Sequence, residues 1–213
     1  MRVDLRRYSL RTVPVVAAFF AALLTLGAGG GAFAPAPVLS GYIDGLTLSN
    51  DTTDASNDVV VATGKAVDST SVDYLTLPTA IIGRLDGGTW AVGTNQPKLD
   101  TGSEASATGY HIWLIKRTDT GVVDWLFSLS ATAPTMPSNY TIKRRIGWIY
   151  NDSGSVIRPF IQAGGEFLWL VPVLDVDTTN PGSSAVLSRL SVPSGVKVIA
   201  HFQIRAASTV ISP

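Results

Sequence analysis

Apolar residues recur at every second position in short runs through the chain after residue 38. Two such runs, Tyr110–Arg117 and Gly121–Leu129, are separated by a polar turn-like tetrapeptide, Thr118–Gly121. Successive side chains of a strand point to opposite faces, so a period of two predicts strands rather than helices, whose apolar repeat is 3.6. A polar tetrapeptide that ends in glycine favours a tight turn. The sequence therefore predicts a β-hairpin here.

The two predicted strands of this hairpin differ in how apolar their faces are. Both faces of Tyr110–Arg117 carry large apolar residues, which predicts burial on both sides. In the second strand one face is more apolar than the other, and it consists of Val123, Trp125, Phe127 and Leu129. That face is predicted to point into the core.

A second hairpin is predicted around Asn151–Gly154, joining a strand at Ile142–Tyr150 to one at Val156–Gln162. Pro159 has no amide proton to donate, so the latter is predicted to be an edge strand. Further strands are predicted at Val59–Ala62, Tyr74–Leu77, Phe167–Val171, Ala185–Leu190 and Val196–Arg205.

Prolines fall in the gaps between these runs, and no long amphipathic helical pattern occurs after residue 40. Many short strands separated by turn signals are typical of a sandwich. The prediction is an all-β fold, with an antiparallel β-sandwich or jelly-roll-like domain at 38–213 and a separate N-terminal segment at 1–37.

The N-terminal segment begins with four arginines against one aspartate and then continues without charge to Pro37. One interpretation is a secretory signal, although Pro35 after the small-x-small site Ala32–Ala34 is a poor position for signal peptidase. A membrane anchor is a second, but the apolar part is shorter than ~18 residues. The favoured interpretation is an arm that docks onto a larger assembly and ends in a Gly/Ala/Pro hinge. Its predicted docking residues are Val15, Val16, Phe19, Phe20, Leu23, Leu24 and Leu26.

Composition restricts the partners that the chain is expected to have. Lys plus Arg and Asp plus Glu both number 16, and charged residues make up only 15% of the chain. Nucleic-acid-binding domains usually carry a basic excess, so nucleic acid is not an expected partner. A neutral chain with so little charge tends to self-associate, which predicts a surface covered by other subunits. The absence of cysteine excludes disulfides and thiolate chemistry.

The run "YTIKRRIGWIY", Tyr140–Tyr150, places three consecutive cations among aromatic residues. As a regular strand it would put Lys143 and Arg145 on one face, and Arg144 with the aromatic rings on the other. A nucleic-acid platform needs cations and rings on one exposed surface. The split therefore favours a core strand, in which Arg144 lies at the strand edge, extends its charged end to solvent along an apolar stem, or pairs with a carboxylate such as Asp124.

No catalytic, cofactor or metal site is predicted. Glycoside cleavage requires two carboxylates that converge in a cleft. The sequence spacing gives no reason to expect convergence of any pair among the candidate acids Asp119, Asp124, Glu104 and Glu166. The acidic loop Asn50–Asp58 is predicted to cap its own backbone rather than to bind calcium. His111 and His201 are predicted to be structural.

Five tryptophans raise the question of a sugar-binding surface, but four of them lie inside predicted strands among aliphatic residues. Core or intersubunit packing is the favoured role for those four. Trp90, in a glycine-rich loop, is the predicted exposed contact for a host-surface glycan.

Three long runs resemble sequences that recur in structural proteins of tailed bacteriophages and prophages: Pro37–Asp51, Ile115–Tyr150 and Pro172–Val186. The resemblance implies a virion setting and a β-rich, tail-fibre-like or minor structural protein, and it supplies no catalytic residues. Residues 1–37 have no counterpart in it, and the family is expected to continue with more β structure beyond Arg205.

The expected function is therefore a non-enzymatic structural component of a tailed phage particle, such as a tail or head fibre, collar or decoration protein. It would be located in the virion, with other virion proteins as partners, a homotrimer as the favoured state and a host-surface glycan as a further ligand. Neither a cofactor nor a membrane is expected. The alternative is a secreted or surface-anchored bacterial carbohydrate-binding β-sandwich.

Overall fold

The computed structural model describes residues 39–178 and 182–205. Within these ranges the chain forms eleven strands and no helix. The predicted N-terminal arm and its seven docking residues lie outside the described residues. No described segment is a helix long and apolar enough to cross a membrane.

The eleven strands form three sheets in which every ladder is antiparallel, as predicted for a β-sandwich. The sheet orders are β1-β4-β5, β11-β10-β2-β3-β6 and β8-β7-β9. The strands are β1 (Ile43–Gly45), β2 (Leu48–Asn50), β3 (Asp58–Val61), β4 (Gly64–Val67), β5 (Tyr74–Leu77), β6 (Ile81–Arg84), β7 (Thr108–Arg117), β8 (Val123–Ser128), β9 (Tyr140–Asn151), β10 (Phe160–Ala163) and β11 (Glu166–Trp169).

The first two sheets are connected by chain segments that bend from one sheet into the other. At the end of β1 the backbone takes positive φ at Gly45 (65°) and at the next residue, Leu46 (52°), and the Leu46 N–H donates to the Thr63 carbonyl at 2.9 Å. A Cβ on Gly64 would lie only 2.4 Å from the Asp44 carbonyl oxygen. Glycine is required where two backbones approach this closely, and the bend folds one long hairpin over the core.

Two connections join the second sheet to the third. The segment between β6 and β7 bridges them: the Arg84 N–H donates to the Pro97 carbonyl, and the Phe127 N–H donates to that of Lys98. On the opposite side a side chain makes the join, because the Gln162 amide accepts from the Trp148 N–H at 3.2 Å and donates to the Ile146 carbonyl at 3.4 Å. This β9–β10 seam connects the two sheets without a backbone ladder.

The main core lies between the sheets and draws on all three of them. Its members include Leu48 and Val59 from the second sheet, Leu75 from the first, and Tyr110 and Trp125 from the third, all completely buried. A smaller cluster covers the other face of the third sheet, and it consists of Trp113, Ile115, Leu126 and Tyr140, with Trp90 and Met136 packed against them. Burial on both faces of β7 is therefore confirmed.

The predicted hairpin is confirmed as β7 and β8, with His111 opposite Ser128 and Lys116 opposite Val123. Gly121 has a φ of 73°, the left-handed conformation that such a turn requires. Trp125 and Phe127 point into the main core as predicted, whereas Leu129 lies beyond the strand and is 56% exposed.

The second predicted hairpin is only partly correct. The turn forms, because the Asp152 N–H donates to the Val156 carbonyl and Asn151 pairs with Ile157. The chain then leaves β9, and β10 pairs with β2 and β11 instead. β10 is thus an internal strand rather than an edge strand, and Pro159 lies just before it, where no ladder bond is lost.

The strands predicted at Ala185–Leu190 and Val196–Arg205 do not form. No described residue pairs with either segment, and the apolar side chains that would line their inner faces are exposed, for example Leu187 at 103% and Ile204 at 77%. The alternating pattern is present, but the described part of the chain supplies neither a neighbouring strand nor a face to cover it. Those predictions are wrong for the single chain.

Candidate functional site

Two bulges in β9 determine which of its side chains share a face. Ile112 pairs with Gly147 and the next residue, Trp113, pairs with Arg145, so Ile146 has no partner in β7. A second irregularity leaves Thr141 unmatched between Ile142 and Tyr140. Each extra residue reverses the alternation of the strand.

The predicted faces of β9 are therefore wrong. Residues directly opposite one another in an antiparallel pair point to the same side of the sheet. The register thus places Lys143, Arg145 and Trp148 on the face that carries His111 and Trp113. This outer face of β7 and β9 carries two of the three cations and most of the aromatic rings.

The cations remain split between the two faces. The Lys143 Nζ lies 5.6 Å from the centroid of the Trp113 ring, on the outer face. Arg144 points to the other side and donates to the Gly41 carbonyl at 3.3 Å, so the suggested pairing with Asp124 is wrong. Three of the outer-face rings are buried, Trp113 and Trp148 at 3% exposure and Tyr140 at 4%, and only Tyr150 is partly exposed, so this described face offers no broad stacking platform.

His111 is buried beneath the C-terminal part of the chain. Burial lowers the pKa of the imidazole to about 4, the charge of Arg145 lowers it further, and a hydrogen bond with the Ser194 backbone opposes the fall. A Cβ on Gly195 would lie 3.0 Å from the Cβ of Ala131, so the chain passes close over this sheet. The position fits the predicted structural role of His111.

Asp124 is a completely buried carboxyl group in β8 without a described cationic partner. It accepts hydrogen bonds from the N–H groups of Gly93 and Trp125, both at 2.7 Å. Burial raises the pKa of Asp124 to about 6, although both hydrogen bonds oppose the rise. The Tyr140 hydroxyl is also buried and has no hydrogen-bond partner among the described residues. The geometry ties the loop containing Gly93 to the sheet.

Trp90 is half-buried rather than freely exposed in its loop. Its indole N–H donates to the Trp125 carbonyl at 2.8 Å, and its ring meets the Tyr140 ring edge-on at 5.2 Å. The only polar group of the Trp90 side chain is therefore already hydrogen-bonded within the domain. Its contact with a glycan stays a prediction.

The remaining acidic candidates each have a separate position. Asp119 forms an ion pair with Arg117 at 2.6 Å, and the hydrogen bond with Arg117 lowers the pKa of Asp119 to about 2. Glu104 accepts from the Asn151 amide at 2.8 Å, and Glu166 is exposed in β11. In the described part of the chain, no three His, Asp or Glu residues are placed to hold a metal ion.

The loop Asn50–Asp58 caps its own backbone, as predicted. The Asp51 carboxylate accepts from the Thr53 N–H at 2.8 Å, and Asp54 accepts from the backbone and the amide of Asn57. The carboxylates of Asp51 and Asp54 thus bond to groups of the loop itself.

The feature that sequence reasoning missed is an exposed apolar surface in the C-terminal third. The β10–β11 hairpin and the residue after it expose three large apolar side chains, which we call the hairpin strip: Ile161 at 40%, Leu168 at 61% and Leu170 at 59%. Ile161 and Leu168 are directly paired and share a face. The alternation of Leu168 and Leu170 was the signal for this strip.

The described residues after Leu170, which we call the apolar tail, add further exposed apolar side chains. Eleven large apolar side chains of the tail are exposed by more than a third: Val171, Leu174, Val176, Val186, Leu187, Leu190, Val192, Val198, Ile199, Phe202 and Ile204. Exposed apolar residues elsewhere in the described domain are scattered singly, as is usual for a monomer. The concentration in one segment makes the tail the leading candidate for a binding surface.

No family model, no curated protein and no solved structure matches the chain. The interpretation of this surface therefore depends on its geometry and on the sequence itself.

Proposed function

We propose that the chain is a non-enzymatic structural subunit of a tailed phage particle, a fibre, collar or decoration protein that assembles with copies of itself. The observation that carries the proposal is the exposed apolar tail. A large apolar side chain contributes about 1.5–3 kcal/mol when it is fully buried, and contiguous exposed patches of this kind mark protein interfaces. A subunit of a symmetric assembly buries such a surface against its neighbours.

Two further features support the structural role. The three runs that resemble phage structural proteins span strands of the described domain and part of the apolar tail. The buried acids Asp124 and Asp58 serve hydrogen bonds or ion pairs within the fold. Trp90 is half-buried and its indole N–H is already bonded to the Trp125 carbonyl, so only the remaining exposed part of its ring is available to a glycan.

The particle role is tested by removing the predicted docking arm. Deletion of residues 1–37 is expected to leave the β domain folded, which circular dichroism measures. The deletion is also expected to abolish incorporation into particles, which is measured by immunoblot of virions purified from the host that encodes the chain. The matched control is Leu39→Asp, which changes an exposed side chain just after the arm and is expected to be incorporated normally.

Normal incorporation of the deletion variant would contradict docking through the arm. Absence of the full-length chain from purified particles, probed with an antibody against it, would contradict the virion role itself.

A further inference from the structure

The last described part of the tail has the pattern of a strand without a partner. From Val198 to Arg205 the even-numbered residues are Val198, Ala200, Phe202 and Ile204, whereas the odd positions after Ile199 are polar: His201, Gln203 and Arg205. Val198 is 42% exposed, Phe202 68% and Ile204 77%. No backbone hydrogen bond forms in this described segment. A sequence that alternates in this way is stable as a strand only if it pairs with another edge.

An open edge of matching character lies in the same chain. β11 is the terminal strand of its sheet, so one side of its backbone pairs with no described strand. The hairpin strip beside this edge is apolar and exposed. Natural proteins usually protect a free edge with charge, proline or a covering segment, and an apolar free edge accepts an added strand.

Charge complementarity indicates that the occupant of the edge is a second copy of this chain. Of the two segments that would pair, β11 carries Glu166 and no cation, whereas residues 198–205 carry Arg205 and no acid. A strand from the basic segment that pairs beside the acidic one therefore brings opposite charges together.

We infer that residues 198–205 of one copy add as a strand to the free edge of β11 in another copy, with their even-numbered apolar side chains over the hairpin strip. This inference rests on the proposed self-assembly and specifies the strand and the edge that form it. The exchange satisfies the unpaired backbone groups of both segments and buries both apolar rows.

The test compares two substitutions that place a charge on opposite sides of the proposed contact, Phe202→Asp in the tail and Leu168→Asp in β11. Both side chains are exposed in the single chain, so neither substitution disturbs the core. Sedimentation velocity of the purified full-length chain is expected to show an oligomer for wild type and at least a tenfold weaker association for each variant. The matched control is Gln203→Asp, which adds the same charge to the other face of the tail and is expected to stay oligomeric.

Mixing the two variants distinguishes strand exchange from non-specific hydrophobic association. The Phe202→Asp copy keeps an intact edge and the Leu168→Asp copy keeps an intact tail, so the mixture is expected to form a one-interface dimer that neither variant forms alone. A single interface lacks the closure of a ring, so the mixture is examined at about tenfold higher concentration. Amide hydrogen exchange of residues 198–205 is expected to slow in the wild-type oligomer and to be fast in Phe202→Asp.

The inference is overturned if either variant assembles like wild type, if Gln203→Asp disrupts assembly as strongly, or if the mixture stays monomeric with fast exchange in the tail. These outcomes leave the particle role open, because incorporation into virions is measured separately. Conversely, a chain that exchanges strands in solution but is absent from particles would refute the virion role alone.

Discussion

A carboxyl group that folding removes from water, without a cation beside it, ionises at a higher pH in the folded chain than in the unfolded chain. Asp124 is in this situation, with a pKa of about 6 that burial raises from the usual 3.8. Ionisation of Asp124 therefore opposes folding. Its contribution to stability falls as the pH rises from about 4 through 6, and it is constant above that.

Asp124→Asn is expected to remove this pH dependence. A pKa difference of about two units corresponds to about 3 kcal/mol, so the variant should gain up to that amount relative to wild type between pH 4 and pH 7. The measurement is the free energy of unfolding by urea at several pH values. The difference between variant and wild type is compared because His111, with a pKa that burial lowers to about 4, gives the opposite slope in the same range.

Asp119→Asn is the control for this experiment. Asp119 is exposed, and its hydrogen bond with Arg117 lowers its pKa to about 2. Its ionisation therefore changes the pH dependence of stability only at pH values below about 4. If the two variants show the same change between pH 4 and pH 7, the burial of Asp124 is not its cause.

Gly147 is a second position at which a small change to one side chain is expected to alter the stability of the fold. A Cβ at this position would lie 1.9 Å from the Cδ1 of Leu48 and 2.7 Å from the Oε1 of Gln162. Gly147→Ala is therefore expected to lower the free energy of unfolding by about 1–3 kcal/mol, as overpacking of a core does. Gly165→Ala is the matched control, since a Cβ there meets open space, and thermal unfolding of both variants measures the effect. Equal stability of the two variants would contradict the close approach.

At the scale of the elements, the β7–β8 hairpin was predictable because its determinants are local. Thr118–Gly121 carries the turn signal, and the flanking runs carry the alternation. The same holds for the acidic loop Asn50–Asp58, in which side chains bond to backbone groups only a few residues away.

The faces of β9 were not predictable in this way. A bulge depends on the register with a distant strand, and one unmatched residue at Ile146 reverses every assignment beyond it. The partner of β10 likewise depends on a contact with β2, more than 100 residues earlier in the chain. Periodicity identifies a segment that is able to form a strand, but not the edge that it joins, which is why the strands predicted at 185–190 and 196–205 are absent from the single chain.

The β9–β10 seam leads to a prediction about how two strands are held together. Gln162→Ala removes both amide hydrogen bonds across the seam and is expected to cost about 1 kcal/mol of stability. More specifically, it should speed hydrogen exchange at the Trp148 amide, with little change in β7. Gln96→Ala, at an exposed loop position, is the control, and unchanged exchange at Trp148 would show that the seam does not depend on this side chain.

At the scale of the whole molecule, the described domain combines a well-packed core with one apolar segment that remains uncovered. The apolar pattern of the core strands agrees with their burial, whereas the tail has a strand pattern without a partner among the described residues. Such a local conflict is expected where function lies. The charge balance of 16 to 16 weakens repulsion between copies and so permits self-association.

The β9–β10 seam also determines how the domain responds to mechanical tension. The β7–β9 ladder extends from Thr108 to Arg117, whereas β10 is held by two residue pairs with β2, by the amide of Gln162, by a hydrogen bond from the Phe160 N–H to Asn50 and by the burial of the Phe160 ring. A pulling force that enters through the chain after Trp169 is therefore expected to detach the β10–β11 hairpin before the longer ladder of the central sheet yields. The hairpin would then act as an extensible tether that absorbs load before the rest of the subunit deforms.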